Sequence, residues 1–161
     1  MYRLWLALLL VFFAGCNPEI VKVRGSISAE RDINMNVNAQ PAPVEIRIYQ
    51  LSKADKFSSL GYKQIARHDT RLLGDALLKK EQFIVRPGQV LPYNTNMAKE
   101  TRFIGIVGLF RSTRNLVWKK LYQVSFLRNE GLDIRVTAGG LVLNAMPPSH
   151  SEQFEAVRNR E

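Results

Sequence analysis

Residues 103–110 read Phe-Ile-Gly-Ile-Val-Gly-Leu-Phe, apolar at odd and even positions alike. Successive side chains of a strand point to opposite faces, so this run demands a central strand covered on both sides. Other segments show the period of half-buried strands: Val44, Ile46 and Ile48 alternate with Glu45, Arg47 and Tyr49, and Ile20 to Ile27 alternates in part. Leu116 to Val124 is β-rich and is expected to pair with the 103–110 run through a turn at Ser112 to Asn115. Leu132, Ile134 and Val136 alternate with polar neighbours, Gly139-Gly140 supplies a tight turn and Leu141 to Leu143 returns, a hairpin signature. Gln82 to Val85 predicts a short strand ending at the Pro87-Gly88 turn.

The middle of the chain is different. Lys53 to Leu60 and Thr70 to Lys80 carry helical spacing, with Leu73 and Leu77 on one face, Asp69 or Thr70 as a cap, and Gly74 as a weak point. Seven or eight short strands with one helical insertion at about 53–80 predict a mainly β, two-sheet β-sandwich over residues 20–148. Pro147-Pro148 closes that domain before a polar tail at 149–161. With 161 residues, 46% hydrophobic and 23% charged, the chain suits one core rather than two and is not composed like a disordered protein.

The N-terminus has another purpose. Arg3 precedes an uncharged run from Leu4 to Phe13, then Ala14, Gly15 and Cys16. The apolar stretch Leu4 to Gly15 is short of the roughly 20 residues that span a bilayer, and its layout is that of an export signal covering residues 1–15. Cys16 is the only cysteine, so no intrachain disulfide accounts for it. Its setting resembles the lipobox of bacterial lipoproteins, with Phe13 where Leu is usual. That resemblance implies cleavage before Cys16 and lipid on its thiol and new amine, with residues 16–28 forming the lipidated N-terminus and first strand. Acylation at two or more points suffices for stable anchoring. Asn17, in place of Asp, points by the same analogy to the outer membrane, facing the periplasm.

Arg3 is the only charge removed with the signal, so a net charge of +9 becomes +8. Basic residues are scattered, with no run longer than two, which together with export argues against nucleic acid as a partner. A catalytic constellation is not legible either. The two histidines are His68 and His150; His68 and Asp69 are adjacent and read as a solvated pair rather than a base and its orienter. There is no zinc-ligand spacing, phosphate loop or nucleophile elbow, and the 14 carboxylates form no evident acid–base pair. No enzyme activity, cofactor or metal is expected.

One tract stands apart: Ala29 to Pro43, with Asn34, Asn36 and Asn38 at alternate positions, then Gln40, Pro41 and Pro43. It reads either as an edge strand from Ile33 to Val37 running into an extended linker, or as a protruding loop that docks on another protein.

The order of motifs bears on that choice. Ile33-Asn34, Gln40-Pro41 and Pro43 lead into Val44-Glu-Ile-Arg-Ile-Tyr-Gln-Leu51; Ala54-Asp-Lys-Phe57, Leu73-Gly-Asp75, Arg86-Pro-Gly88, Gly105 to Arg111 and Trp118 follow. This resembles the type VI secretion lipoprotein family, TssJ, over nearly the whole mature chain, with Gly108 where the family's pattern carries Ala. The resemblance implies a transthyretin-like sandwich on the outer membrane. It also implies that the Ala29–Pro43 loop binds the periplasmic domain of the inner-membrane component TssM, through Asn34, Met35, Asn36, Asn38, Ala39 and Gln40. The competing expectation is a periplasm-facing lipoprotein that binds a small ligand or cell-wall glycan, in a pocket lined by Tyr49, Trp118 or Tyr122.

Overall fold

The computed structural model describes residues 21–124 and 130–146. The export signal, Cys16 and the 149–161 tail lie outside the described residues. Among the described residues there are eight strands: β1 (Lys22–Ala29), β2 (Val44–Leu51), β3 (Leu77–Val85), β4 (Val90–Asn96), β5 (Phe103–Leu109), β6 (Lys119–Gln123), β7 (Glu130–Thr137) and β8 (Gly140–Met146). They make two four-stranded sheets, ordered β4-β1-β7-β8 and β3-β2-β5-β6. Every pairing within them is antiparallel except β1 with β7.

The predicted sandwich is therefore present, and the 103–110 run explains its central layer. Ile104 and Ile106 of β5, with Ile46 and Ile48 of β2, face the other sheet and meet Val23, Ile27, Leu132 and Ile134. The opposite faces of the same strands, through Tyr49, Leu51 and Val107, pack on Phe57, Ile65 and Leu73 of the helical insertion. Each fully buried Leu, Ile or Phe side chain stabilises the fold by about 1.5–3 kcal/mol, so covering both faces roughly doubles what β2 and β5 contribute.

The insertion differs in its limits from the sequence expectation. It consists of α1 (Asp55–Ser59), α2 (Tyr62–Leu73) and a 3-10 turn over Gly74–Ala76. Gly61 starts α2, donating its N–H to Gln64 Oε1 at 2.9 Å, and Gly74, at φ +54°, ends it. Leu77 to Lys80, read as helix from spacing, are strand, because β3 pairs with the full length of β2 from Leu77–Leu51 to Val85–Val44. Tertiary pairing overrides local periodicity here. Asp69 is no cap; it is buried near the end of α2, where its carboxylate accepts from Arg47 (2.9 Å), Tyr49 (2.7 Å), Lys80 (2.7 Å) and the Thr70 N–H (2.7 Å). This cluster fastens the helix to the sheet. Lys119 does the same for α1, its ammonium donating to the carbonyls of Phe57, Ser58 and Leu60 at 2.9–3.0 Å.

β4 was not legible as a strand. Its sequence, VLPYNTN, carries a proline and two asparagines, residues depleted in strands. It lies at a sheet edge, where Pro92 costs no central ladder bond, and its inward residues Tyr93 and Thr95 are buried.

Candidate partner-binding site

Between β1 and β2 the chain leaves the sandwich and returns. Its root is fixed by Glu30, whose N–H donates to Val136 O at 2.9 Å and whose carbonyl accepts from Gly88 N–H at 3.0 Å. Ile33 is fully buried in the inter-sheet core, and Ala42, also buried, donates its N–H to Ile33 O at 3.2 Å. That bond closes a neck, and the residues from Asn34 to Pro41 project beyond it. The edge-strand reading of Ile33–Val37 is thus corrected: only Ile33 is drawn into the core, and no ladder forms along the tract.

Two asparagines shape the loop. Asn34 sits at φ +49°, a conformation Asn tolerates better than most residues, and its side chain donates to Pro43 O while accepting from Arg111 N–H at 2.8 Å. Asn36 Oδ1 accepts from the N–H groups of Asn38 (2.9 Å) and Gln40 (3.0 Å). Its own N–H donates to Gln40 O at 2.8 Å, and its carbonyl accepts from Ala39 N–H at 3.0 Å, with Ala39 at φ +55°. An Asn side chain satisfying its neighbours' backbone in this way is an Asx-type turn, which pre-orders the loop.

The residues such a turn presents are mainly the others. Asn38, Ala39 and Gln40 are exposed, Met35 is 44% exposed, and Val37 is 99% exposed. Val37 is the residue that sequence reasoning passed over. The signal was available: it is an apolar β-branched residue inside an amide-rich tract. Beside the loop a cleft of about 320 Å³ opens between Met35, the β5–β6 connection at Ser112, Arg114 and Leu116, and Ala138 at the β7–β8 turn. Asp32 and Arg114 bring opposite charges to its wall.

The other sequence candidates are scattered. His68, at a kink in α2 with φ −139° and ψ 24°, is exposed, while Asp69 is buried in its ion-pair cluster, so the two side chains are parted. Burial alone would push the Asp69 carboxyl up, but hydrogen bonds from Lys80, Tyr49 and the Thr70 N–H outweigh it and lower it to about 2. Tyr49 is enclosed between sheet and helices, Tyr122 packs on the inter-sheet core, and Trp118 meets Tyr62 edge-on at 5.2 Å. The three aromatics are thus distributed through the packing of two layers.

Fold and loop together define a class: a two-sheet β-sandwich that presents one pre-ordered loop and an adjoining cleft at one end. The family model described as Type VI secretion lipoprotein, VasD, EvfM, TssJ matches residues 21–139. The chain belongs to the type VI secretion lipoprotein family. The T6SS lipoprotein TssJ1 from Pseudomonas aeruginosa is similar in structure, with a TM-score of 0.76 and 25% identity over 81% of this chain and 100% of that one. Serratia marcescens Lip, a membrane bound component of the type VI secretion system, gives 0.71 and 22% over 77% and 97%. A chain in the structure of the T6SS protein TssM C-terminal domain from EAEC gives 0.62 and 20% over 78% and 98%. A comparison of the sequence with curated proteins returns no match.

Proposed function

We propose that this protein is held on the outer membrane by lipid on Cys16 and uses the Asn34–Gln40 loop to grip the periplasmic domain of a TssM-like inner-membrane protein, tethering the secretion complex to the outer membrane. The observation that carries this reading is the loop itself: a neck closed by Ala42 and Ile33, two asparagines that pre-pay its ordering, and two apolar side chains, Met35 and Val37, left facing solvent. Family membership and the likeness to a chain in the TssM structure support the choice of partner. The role is mechanical and requires no turnover. Asn34 and Asn36 hold the loop's shape, while Met35, Val37, Asn38, Ala39 and Gln40 supply its contact surface.

The test replaces the tips and spares the scaffold. Met35→Ser with Val37→Ser leaves the loop's hydrogen bonds in place but removes apolar contact worth about 2 kcal/mol. Calorimetry against the host's TssM periplasmic domain is expected to show affinity about thirtyfold weaker at unchanged thermal stability. Unchanged affinity in the folded double variant would remove the loop from the interface.

A further inference from the structure

At the opposite pole of the sandwich from the loop, a groove of about 760 Å³ opens between the edge strands β3 and β4, lined by Lys22, Arg24, Lys79, Asn94, Thr95 and Asn96. Lys22 and Arg24 stand exposed on β1. The Lys79 ammonium donates to Thr95 Oγ1 at 2.8 Å and pairs with Glu81 at 3.2 Å, so one of the three cations is offset. Val23 lies buried beneath them, and the Thr95 hydroxyl is occupied by Lys79, Gln50 and the Asn96 carbonyl, which leaves the exposed side-chain amides of Asn94 and Asn96 to donate to the oxygens of a phosphate. Guanidinium and ammonium groups are the usual partners of that anion.

Position gives this groove a meaning beyond charge. Lys22 opens β1, six residues after Cys16, and an extended chain spans at most about 3.3–3.6 Å per residue. The groove therefore lies within about 20 Å of any lipid on Cys16. β1 then runs about 23 Å, at roughly 3.3 Å per residue, before entering the partner-binding loop. The two features sit at opposite ends of one strand.

We propose that the groove docks on the phosphate headgroups of anionic phospholipid in the leaflet that carries the Cys16 lipid, standing the sandwich upright so that the Asn34–Gln40 loop points away from the bilayer. This rests on the proposed anchor. A short tether raises the local concentration of headgroups at the groove, and each cation near an anionic surface multiplies the docked population about fivefold. Lys22 and Arg24 together contribute about thirtyfold on that basis. A domain on a short tether would otherwise sample many orientations; docking selects the one that presents the loop to a partner across the periplasm.

The experiment uses the mature lipoprotein, expressed with its export signal and reconstituted into phosphatidylethanolamine vesicles with or without phosphatidylglycerol. Amine acylation of each lysine is read by mass spectrometry. Lys22 is expected to be protected about fivefold or more on the phosphatidylglycerol vesicles and to lose that protection in high salt, while Lys63, exposed on α2, labels equally on both. Arg24→Glu is expected to abolish the protection of Lys22. Equal labelling of Lys22 on the two vesicles overturns the docking while leaving the anchor intact. Protection by inorganic phosphate on phosphatidylethanolamine alone, equal to that by phosphatidylglycerol, overturns the membrane as the source of the anion. An N-terminal peptide whose Cys16 carries no diacylglyceryl group overturns the anchor itself, and the docking geometry with it.

Discussion

Replacing Asn34 with alanine tests whether the loop is pre-ordered by its own side chains. The structure assigns this residue two hydrogen bonds, to Pro43 O and from Arg111 N–H at 2.8 Å, and a left-handed backbone at φ +49°. Each bond is worth about 0.5–1.5 kcal/mol net, and water partly replaces them at this half-buried position. Forcing a residue with a Cβ, but without an amide, into the left-handed region costs about a further 1 kcal/mol. Asn34→Ala is therefore expected to destabilise the loop by about 2–3 kcal/mol, and Asn34→Gly, which accepts the backbone freely, by about 1–2 kcal/mol. Hydrogen exchange of the Ala39, Gln40 and Arg111 amides reads loop opening, and calorimetry with the TssM periplasmic domain reads its consequence. If the ordered loop is the binding-competent state, affinity falls in the same rank order, alanine more than glycine, by the loss in competent population. Unchanged exchange in both variants would refute the scaffold role. Unchanged exchange with lost affinity would make Asn34 a direct contact instead.

Three further perturbations probe the frame that carries the loop. Gly108→Ala places a methyl 2.5 Å from the Phe110 ring, so urea unfolding is expected to show a loss of about 1–3 kcal/mol, largely relieved when Phe110→Leu is added. Asp69 is held at about 2 when folded against 3.8 ordinarily, so the unfolded chain takes up its proton first. The stability it supplies is full above about pH 5 and disappears as pH falls from about 4 to 2; in an acid titration of the melting temperature, Asp69→Asn should flatten that limb by an amount equivalent to about 1–2 kcal/mol. Lys119→Met removes the donor shared by the carbonyls of Phe57, Ser58 and Leu60 and is expected to cost about 1.5–3 kcal/mol by thermal melting, with amide exchange increasing first in α1.

Gly108 and Phe110 show how two positions can be packed as one. The absence of a side chain at Gly108 leaves space that the Phe110 ring enters from just past the end of β5, and Phe110 is buried in the inter-sheet core. The pair is coupled, so neither residue can be judged from its own position.

How much of this was open to sequence reading depends on how far each cause acts along the chain. Two-residue periodicity is local, so β2, β5 and the β7–β8 hairpin could be read directly, and the doubly apolar 103–110 run correctly demanded cover on both faces. The composition of the Ala29–Pro43 tract likewise marked a segment unlike the rest. Causes that arrive from elsewhere were not legible. Leu77 to Lys80 are strand because β2 offers them a ladder, although their own spacing suits a helix equally well. β4 tolerates Pro92 because it happens to lie at an edge, and β1 takes β7 as a parallel neighbour more than a hundred residues on. The roles inside the loop divide on the same principle: Asn34 became a staple only when folding brought Arg111 and Pro43 to its two ends, and Val37 became a tip only because Asn36 turned the chain beneath it. Pattern along the chain determined which segments could be strands and which one was exceptional. Which partner each hydrogen-bonding group met was decided by tertiary structure, since a donor and an acceptor must be satisfied wherever the fold places them.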